Sequence, residues 1–236
     1  QDYDFSYNLR DVDYTTFHKA LFNTNDYVLT KRVPSKQISQ EQAIYLSGSY
    51  DLNWYHWLIE LLPKLIVFLK AKSSLEHIPV LVSKKVYDSE NHRKALLCFV
   101  KPYQVIRLDN NTKYKIKQLI VLDSPCITTP NRKSYILNKI EDNNTHYKLL
   151  RLFKSRLESE LVKLSNSTKK HRIYLYRDQT YRRFNQPEVI SLLKRYDFKV
   201  FDFNKESLES QVILMRNADF IVGPPGAAWT NLLFCS

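Results

Sequence analysis

The sequence predicts an α/β protein built from two lobes with parallel sheets, and three observations predict it. Short apolar strands alternate with amphipathic helices along most of the chain. From residue 171 the alternation is at its cleanest, with strand, helix, strand, helix and strand in succession. The last of these strands runs into GPPGAAWTNLLF (223–234), which reads as a tight turn and the start of a helix. Only three glycines occur in 236 residues, and two of them, Gly223 and Gly226, frame this turn and are expected to permit it. Such a turn aims free backbone N–H groups at one point, which suits a phosphate. An ordinary strand-to-helix connection is the plain alternative.

Residues 1–42 are polar and aromatic without a sustained period, and read as short strands and loops. AIYLSG (43–48) is a strand, after which WYHWLIELLPKLIVFLKAK places apolar residues at helical spacing. IPVLVS (78–83), YQVIRL (103–108) and KIKQLIVLD (115–123) are further strands, with SENHRKALLCFV a helix between the first two. Residues 124–145 are loop-like, and an amphipathic helix follows over about 145–164. In the last third come strand RIYLYR, helix QPEVISLLKRY, strand FKVFDF and helix SLESQVILMRNA. Asn185 stands where an N-cap belongs, with Pro187 and Glu188 in the first turn.

A hydrophobic content of 44% is enough for a real core. The longest apolar stretch, LIELLPKLIVFL (58–69), is interrupted by Glu60, Pro63 and Lys64 and is too short to span a bilayer. No signal peptide is visible, but the chain opens on Gln1, so a removed leader or anchor stays open. Cys98, Cys126 and Cys235 fit neither a metal motif nor a disulfide framework and are expected as free thiols. Sequons such as those at Asn110 and Asn166 arise by chance in a chain this rich in Asn, Ser and Thr, and assign no compartment. The net charge of +12 calls for an anionic partner: nucleic acid, a membrane surface, an acidic polymer or a phosphorylated small molecule. Residues 169–183 concentrate six Lys/Arg against one Asp just beyond a strand, where α/β proteins bind ligands.

Three blocks, in order, resemble glycosyltransferase family 61. NWYHWLIELLPKL (53–65) is similar to the family's aromatic helix, YRDQTYRRFNQPEV (176–189) to its arginine-rich strand end, and ADFIVGPPGAAWTNLLF (218–234) to its glycine-turn block. The resemblance implies a GT-B-like fold of two Rossmann-like lobes facing a cleft, with the C-terminal lobe incomplete at residue 236. The expected divisions are an acceptor-side lobe over 1–140, a linker helix over 141–170 and a nucleotide-sugar lobe over 171–236. It implies inverting transfer of a sugar from a nucleotide-sugar to a glycan or polysaccharide, with no metal and no cofactor.

Such a transfer needs a base for the acceptor hydroxyl and positive charge for the departing diphosphate. His56 and Glu60, spaced i, i+4, are the candidate base and its orienting carboxylate, and Asp51 is the rival base. Packing of Trp54, Trp57, Leu58 and Leu61, with His56 bonded within its helix, is the plain alternative. Arg177, Arg182 and Arg183 are the candidate diphosphate ligands; Asn185, Gly223, Gly226, Thr230 and Asn231 complete the expected donor pocket. Pro225 departs from the family pattern, which carries histidine there; proline supplies neither a side-chain donor nor an N–H. Trp229 stacks on a base or fills the core. Asp11-Val-Asp13 is a chance pair in an unpatterned segment and is rejected as a metal site. Two other functions stay in play: a noncatalytic glycan-binding or assembly subunit, and a nucleic-acid binder, which lacks any recognisable reading motif. The expected location is the cytoplasm with peripheral membrane contact, or alternatively the secretory lumen.

Overall fold

The computed structural model describes residues 22–23, 28–29, 36–48, 50–71, 77–109, 112–127, 144–161, 170–178 and 184–235. Arg182, Arg183 and the Asp11-Val-Asp13 pair lie outside them. Strands β1 (Phe22–Asn23) and β2 (Val28–Leu29) form a short antiparallel pair. The first parallel sheet has the order β5-β4-β3-β6, from β3 (Lys36–Tyr45), β4 (Val80–Ser83), β5 (Val105–Leu108) and β6 (Thr112–Val121). Strand β3 starts well before the expected residue 43, because its pairing with β6 runs from Lys36↔Thr112 to Tyr45↔Val121. A half-polar edge ribbon of this kind lacks the apolar run by which a central strand is read.

The helix expected after β3 is divided. His56–Leu61 is π-helical, with the Leu62 N–H donating to the Trp57 carbonyl at 2.9 Å, and α1 (Lys64–Ala71) starts afresh beyond Pro63. Proline has no N–H to continue the ladder and its ring crowds the preceding turn, so the helix widens before it. The Ser124 hydroxyl donates to the Glu60 carbonyl at 2.8 Å, satisfying an acceptor left at this break. Helix α2 (Lys84–Asp88), capped by the Ser83 hydroxyl, precedes α3 (Glu90–Leu97). Strands β7 (Cys126–Ile127) and β8 (Asn144–Thr145) pair antiparallel before α4 (Tyr147–Leu161).

The second sheet has the order β10-β9-β11, all parallel, from β9 (His171–Leu175), β10 (Phe198–Phe201) and β11 (Ala218–Val222). Helices α5 (Gln186–Lys194) and α6 (Leu208–Arg216) make the crossovers, and Ala227–Phe234 forms a 3-10 helix after β11. The chain is thus an α/β protein of parallel sheets, as expected. Strand order reverses between β3 and β6 in one sheet and between β9 and β11 in the other. In open α/β sheets ligands collect beyond the carboxyl ends of the strands at such points. His56 follows the end of β3, while Arg177 and the glycine turn follow the ends of β9 and β11.

One apolar core serves both sheets. Ile44, Leu58, Leu62 and Val82 belong to the same buried cluster as Phe153 and Leu157 of α4 and Ile173, Leu175, Val212, Met215 and Phe234. Phe153 stacks on Phe99 with ring centroids 5.3 Å apart. Cys98 and Cys126 are buried, Cys235 half-buried, and all three are free thiols. Phe153→Ala is expected to cost about 3–5 kcal/mol in urea unfolding. Tryptophan fluorescence and far-UV circular dichroism should report one shared transition for both variant and parent; separate transitions for the two sheets would contradict the common core.

Candidate functional site

The second sheet delivers Arg177 to the site. Tyr174 and Leu175 are buried at the end of β9, and the next residues leave the sheet. Gln186, 2% exposed, holds this exit: its amide oxygen accepts from the Arg177 N–H at 3.1 Å and its amide nitrogen donates to the Arg177 carbonyl at 2.9 Å. A side chain thereby continues the strand ladder for one residue. The Arg177 guanidinium reaches across and donates to the Pro225 carbonyl.

The glycines serve close approach rather than an unusual backbone. Neither lies in the left-handed region, and Gly226 is extended at φ 169°. A Cβ on Gly223 would lie 2.9 Å from the Leu175 Cβ and 3.0 Å from its carbonyl oxygen. On Gly226 it would lie 3.2 Å from the Arg177 Nη1. The prolines remove two N–H groups, yet both their carbonyls are pinned, Pro225 by Arg177 and Pro224 by the Trp229 indole N–H at 2.8 Å. Trp229 therefore clamps the turn while its ring packs against the core.

Beyond the turn, the Trp229 N–H makes the first bond of the 3-10 helix, to the Gly226 carbonyl at 3.1 Å. The N–H groups of Ala227 and Ala228 precede that bond and belong to the unpaired start of the helix. Ala227, Ala228, Arg177, Tyr176, Phe203 and Gly226 line a crevice of about 210 Å³. An apolar hollow of about 460 Å³, bounded by Tyr174, Phe184, Val189, Val222 and the two prolines, adjoins it at Arg177.

The other wall comes from the segment after β3. His56, Asn53 and Tyr55 line a cleft of about 400 Å³ together with Gly226, Ala227, Trp229 and Thr230. The His56 Nδ1 lies 2.6 Å from the Glu60 Oε2, and the two side chains are 29% and 18% exposed. The i, i+4 spacing thus produces the contact expected from it. Tyr50 stacks on the imidazole and Tyr55 meets it edge-on, at 5.5 and 5.4 Å between centroids. Burial lowers the pKa of Lys64, one turn beyond Glu60, against the attraction of Asp123 and Glu60. Thr230 is 9% exposed, and its hydroxyl has no hydrogen-bond partner although it lines the cleft. The Glu60 Oε1 is likewise buried and unpartnered.

Three expected site residues are placed elsewhere. Asp51 is 8% exposed, accepts from the Ser47 hydroxyl at 2.7 Å and does not line the cleft, so it supports the loop below His56. Asn231, 1% exposed, has its amide oxygen and both N–H groups engaged: Trp54 Nε1 donates to it at 3.1 Å, and it donates to Gln211 Oε1 and the Ala228 carbonyl, each at 3.1 Å. Asn185 makes no side-chain capping bond and is exposed. Its neighbour Gln186 holds the strand end, a role with no sequence signal, because a polar residue at a helix start is ordinarily solvated.

A scan against family profiles matches Glycosyltransferase 61 over residues 54–236. The chain belongs to glycosyltransferase family 61. No curated protein matches it significantly. As a glycosyltransferase of this family it uses a sugar donor and a glycan acceptor, and the match spans the His56 segment, Arg177 and the glycine turn alike. Among the described residues no helix is long and apolar enough to cross a membrane.

Two outcomes test this geometry. Gly223→Ala is expected to destabilise by about 1–3 kcal/mol in urea, since backbone and Cβ of Leu175 cannot retreat; Gly226→Ala should cost under about 1 kcal/mol, as a flexible guanidinium yields. His92, 8% exposed, has its pKa lowered from 6.5 to about 4, chiefly by burial, against a backbone contact at Leu52 and the Asp51 charge. Below pH 6.5 the unfolded chain takes up a proton that the folded one refuses until about 4, so this contribution is lost as pH falls through that window. It amounts to at most about 3 kcal/mol. Urea titrations at pH 7 and 4.5 should show a smaller loss for His92→Gln than for the parent.

Proposed function

We propose that this glycosyltransferase moves a sugar from a nucleotide-sugar to a glycan or polysaccharide hydroxyl, with inversion and without a metal. The observation that carries the reading is that Gly226 and Ala227 line both the His56 cleft and the Arg177 crevice, so base and cationic group share one trough. In this reading residues 1–140 form the acceptor-side lobe, 141–170 the link and 171–236 the donor lobe of a GT-B-like arrangement.

The diphosphate lies against the Arg177 guanidinium and the N–H groups of Ala227 and Ala228, which stabilise its charge as it departs. The net charge of +12 favours an anionic donor and contact with an anionic membrane surface. The His56 Nδ1–H donates to Glu60, leaving the Nε2 lone pair for the acceptor hydroxyl. The acceptor oxygen bonds to the anomeric carbon from the face opposite the diphosphate. Its proton passes to His56 Nε2, and the electron pair of the breaking C–O bond leaves with the diphosphate. Thr230 offers its unpartnered hydroxyl to the sugar. The runner-up, a noncatalytic glycan-binding or assembly subunit, is favoured by Pro225, which leaves the turn without one N–H.

The test is release of nucleoside diphosphate from a panel of UDP- and GDP-linked sugars. His56→Ala is expected to lower kcat by about 10²–10⁴ with donor affinity retained. Arg177→Ala should raise the donor KM about tenfold or more. Binding of a nucleotide-sugar by the parent without turnover, or no binding at all, would overturn the leading reading and favour the runner-up with its degenerate donor site.

A further inference from the structure

Among the described residues of the second sheet's expected donor pocket, Asn231 is the one with a side-chain hydrogen bond to the segment that carries His56. Trp54, two residues before His56, donates its indole N–H to the Asn231 Oδ1 at 3.1 Å. The Asn231 amide nitrogen donates to its own helix at Ala228 and to Gln211 Oε1, both at 3.1 Å. Gln211, 3% exposed, passes its own N–H groups to the carbonyls of Phe203 at 2.7 Å and Glu206 at 3.0 Å. Phe203 is itself a wall of the Arg177 crevice. Two amides in series, Asn231 and Gln211, thus tie together the histidine segment, the helix that starts at Ala227 and the loop after β10. Other bonds across the same boundary, Asn91 to the Glu206 carbonyl and Lys94 to Glu209, lie on α3, away from the trough.

We propose that Asn231 is a positioning residue, whose amide sets the distance between the His56 imidazole and the Gly226–Ala228 turn, so that the rate of transfer depends on it more than donor binding does. The claim rests on the site reading above. A buried amide with every donor and acceptor engaged holds one geometry, because any displacement strands a polar atom away from water. Reactivity is steep in the separation of reacting groups, whereas a diphosphate held by Arg177 and two backbone amides is bound within the second sheet alone.

The test compares the full chain with Trp54→Phe, which removes one N–H and keeps a ring, with Asn231→Ala, and with Phe153→Leu as a core control outside the network. With nucleotide-sugar turnover as the readout, both network variants should lose about tenfold or more in kcat while the donor KM moves less than about threefold; Phe153→Leu should leave kcat within about twofold. Unchanged kcat in Trp54→Phe, or an equal fall in the control, overturns the claim. A second readout needs no substrate. Inorganic pyrophosphate should shift the ring ¹⁵N signals of His56 in the parent, and in Trp54→Phe that shift should fall by about half or more while affinity stays within about threefold. A shift retained in full overturns the claim. If pyrophosphate does not bind the parent, the donor-site reading fails, and amide exchange decides the positioning claim by itself. Exchange at 228–232 and 55–58 should then rise together by about tenfold in Trp54→Phe, and unchanged exchange overturns it.

Discussion

The ends of two parallel strands must come closer than any side chain allows, and the site depends on that contact. Strand β11 leaves the sheet against Leu175 of β9, with no room for a Cβ at Gly223. The same approach lays the turn beneath Arg177, where Gly226 again has only a hydrogen to offer. Because the strands are parallel, their carboxyl ends lie together, and the chain leaves β9 and β11 into one crevice. The two prolines stiffen that exit. Their carbonyls, held by Arg177 and Trp229, turn a segment short of N–H donors into a rigid ledge.

The distribution of buried polar atoms separates scaffold from site. Asn231, Gln211, Gln186 and Asp51 are buried and bonded within the protein, and each ties elements together. The hydroxyl of Thr230 and one oxygen of Glu60 are buried and unbonded around the His56 cleft. Leaving such atoms unsatisfied costs about 1–3 kcal/mol each, so a fold tolerates few of them. Their position beside a histidine held by a carboxylate is where an incoming hydroxyl would relieve them. Two more, on Trp57 and His92, sit under the same segment, so the histidine-bearing wall is less well satisfied than the wall opposite. That wall is also where the helix is widened before Pro63, in the element that carries the proposed base.

Part of the local geometry was legible in residue order. Helical spacing brought His56 to Glu60, and the glycine–proline turn after an apolar strand marked the crevice. Other placements turn on tertiary contacts. Asp51 and Asn231 are polar residues near the motifs, and nothing local distinguishes a carboxylate bound to Ser47, or an amide consumed by Trp54 and Gln211, from one facing a ligand. Gln186 was passed over because its burial against Arg177 comes from the packing of α5 on β9. Strand β3 was read short because its first half is an exposed ribbon paired to β6.

By itself, then, the sequence determined the order of strands and helices, the family blocks, the basic balance and the histidine–carboxylate pair. All of these are set by neighbours a few residues apart. Only the tertiary structure decided which polar side chains are spent on holding the protein together and which stay unbonded around the His56 cleft. Trp54 and Asn231 are 177 residues apart in the chain and 3.1 Å apart in space, and no local pattern encodes that pairing. The merging of two parallel sheets into one apolar core brings such distant groups together, since burying the faces of both sheets on shared helices stabilises the whole more than two separate small cores.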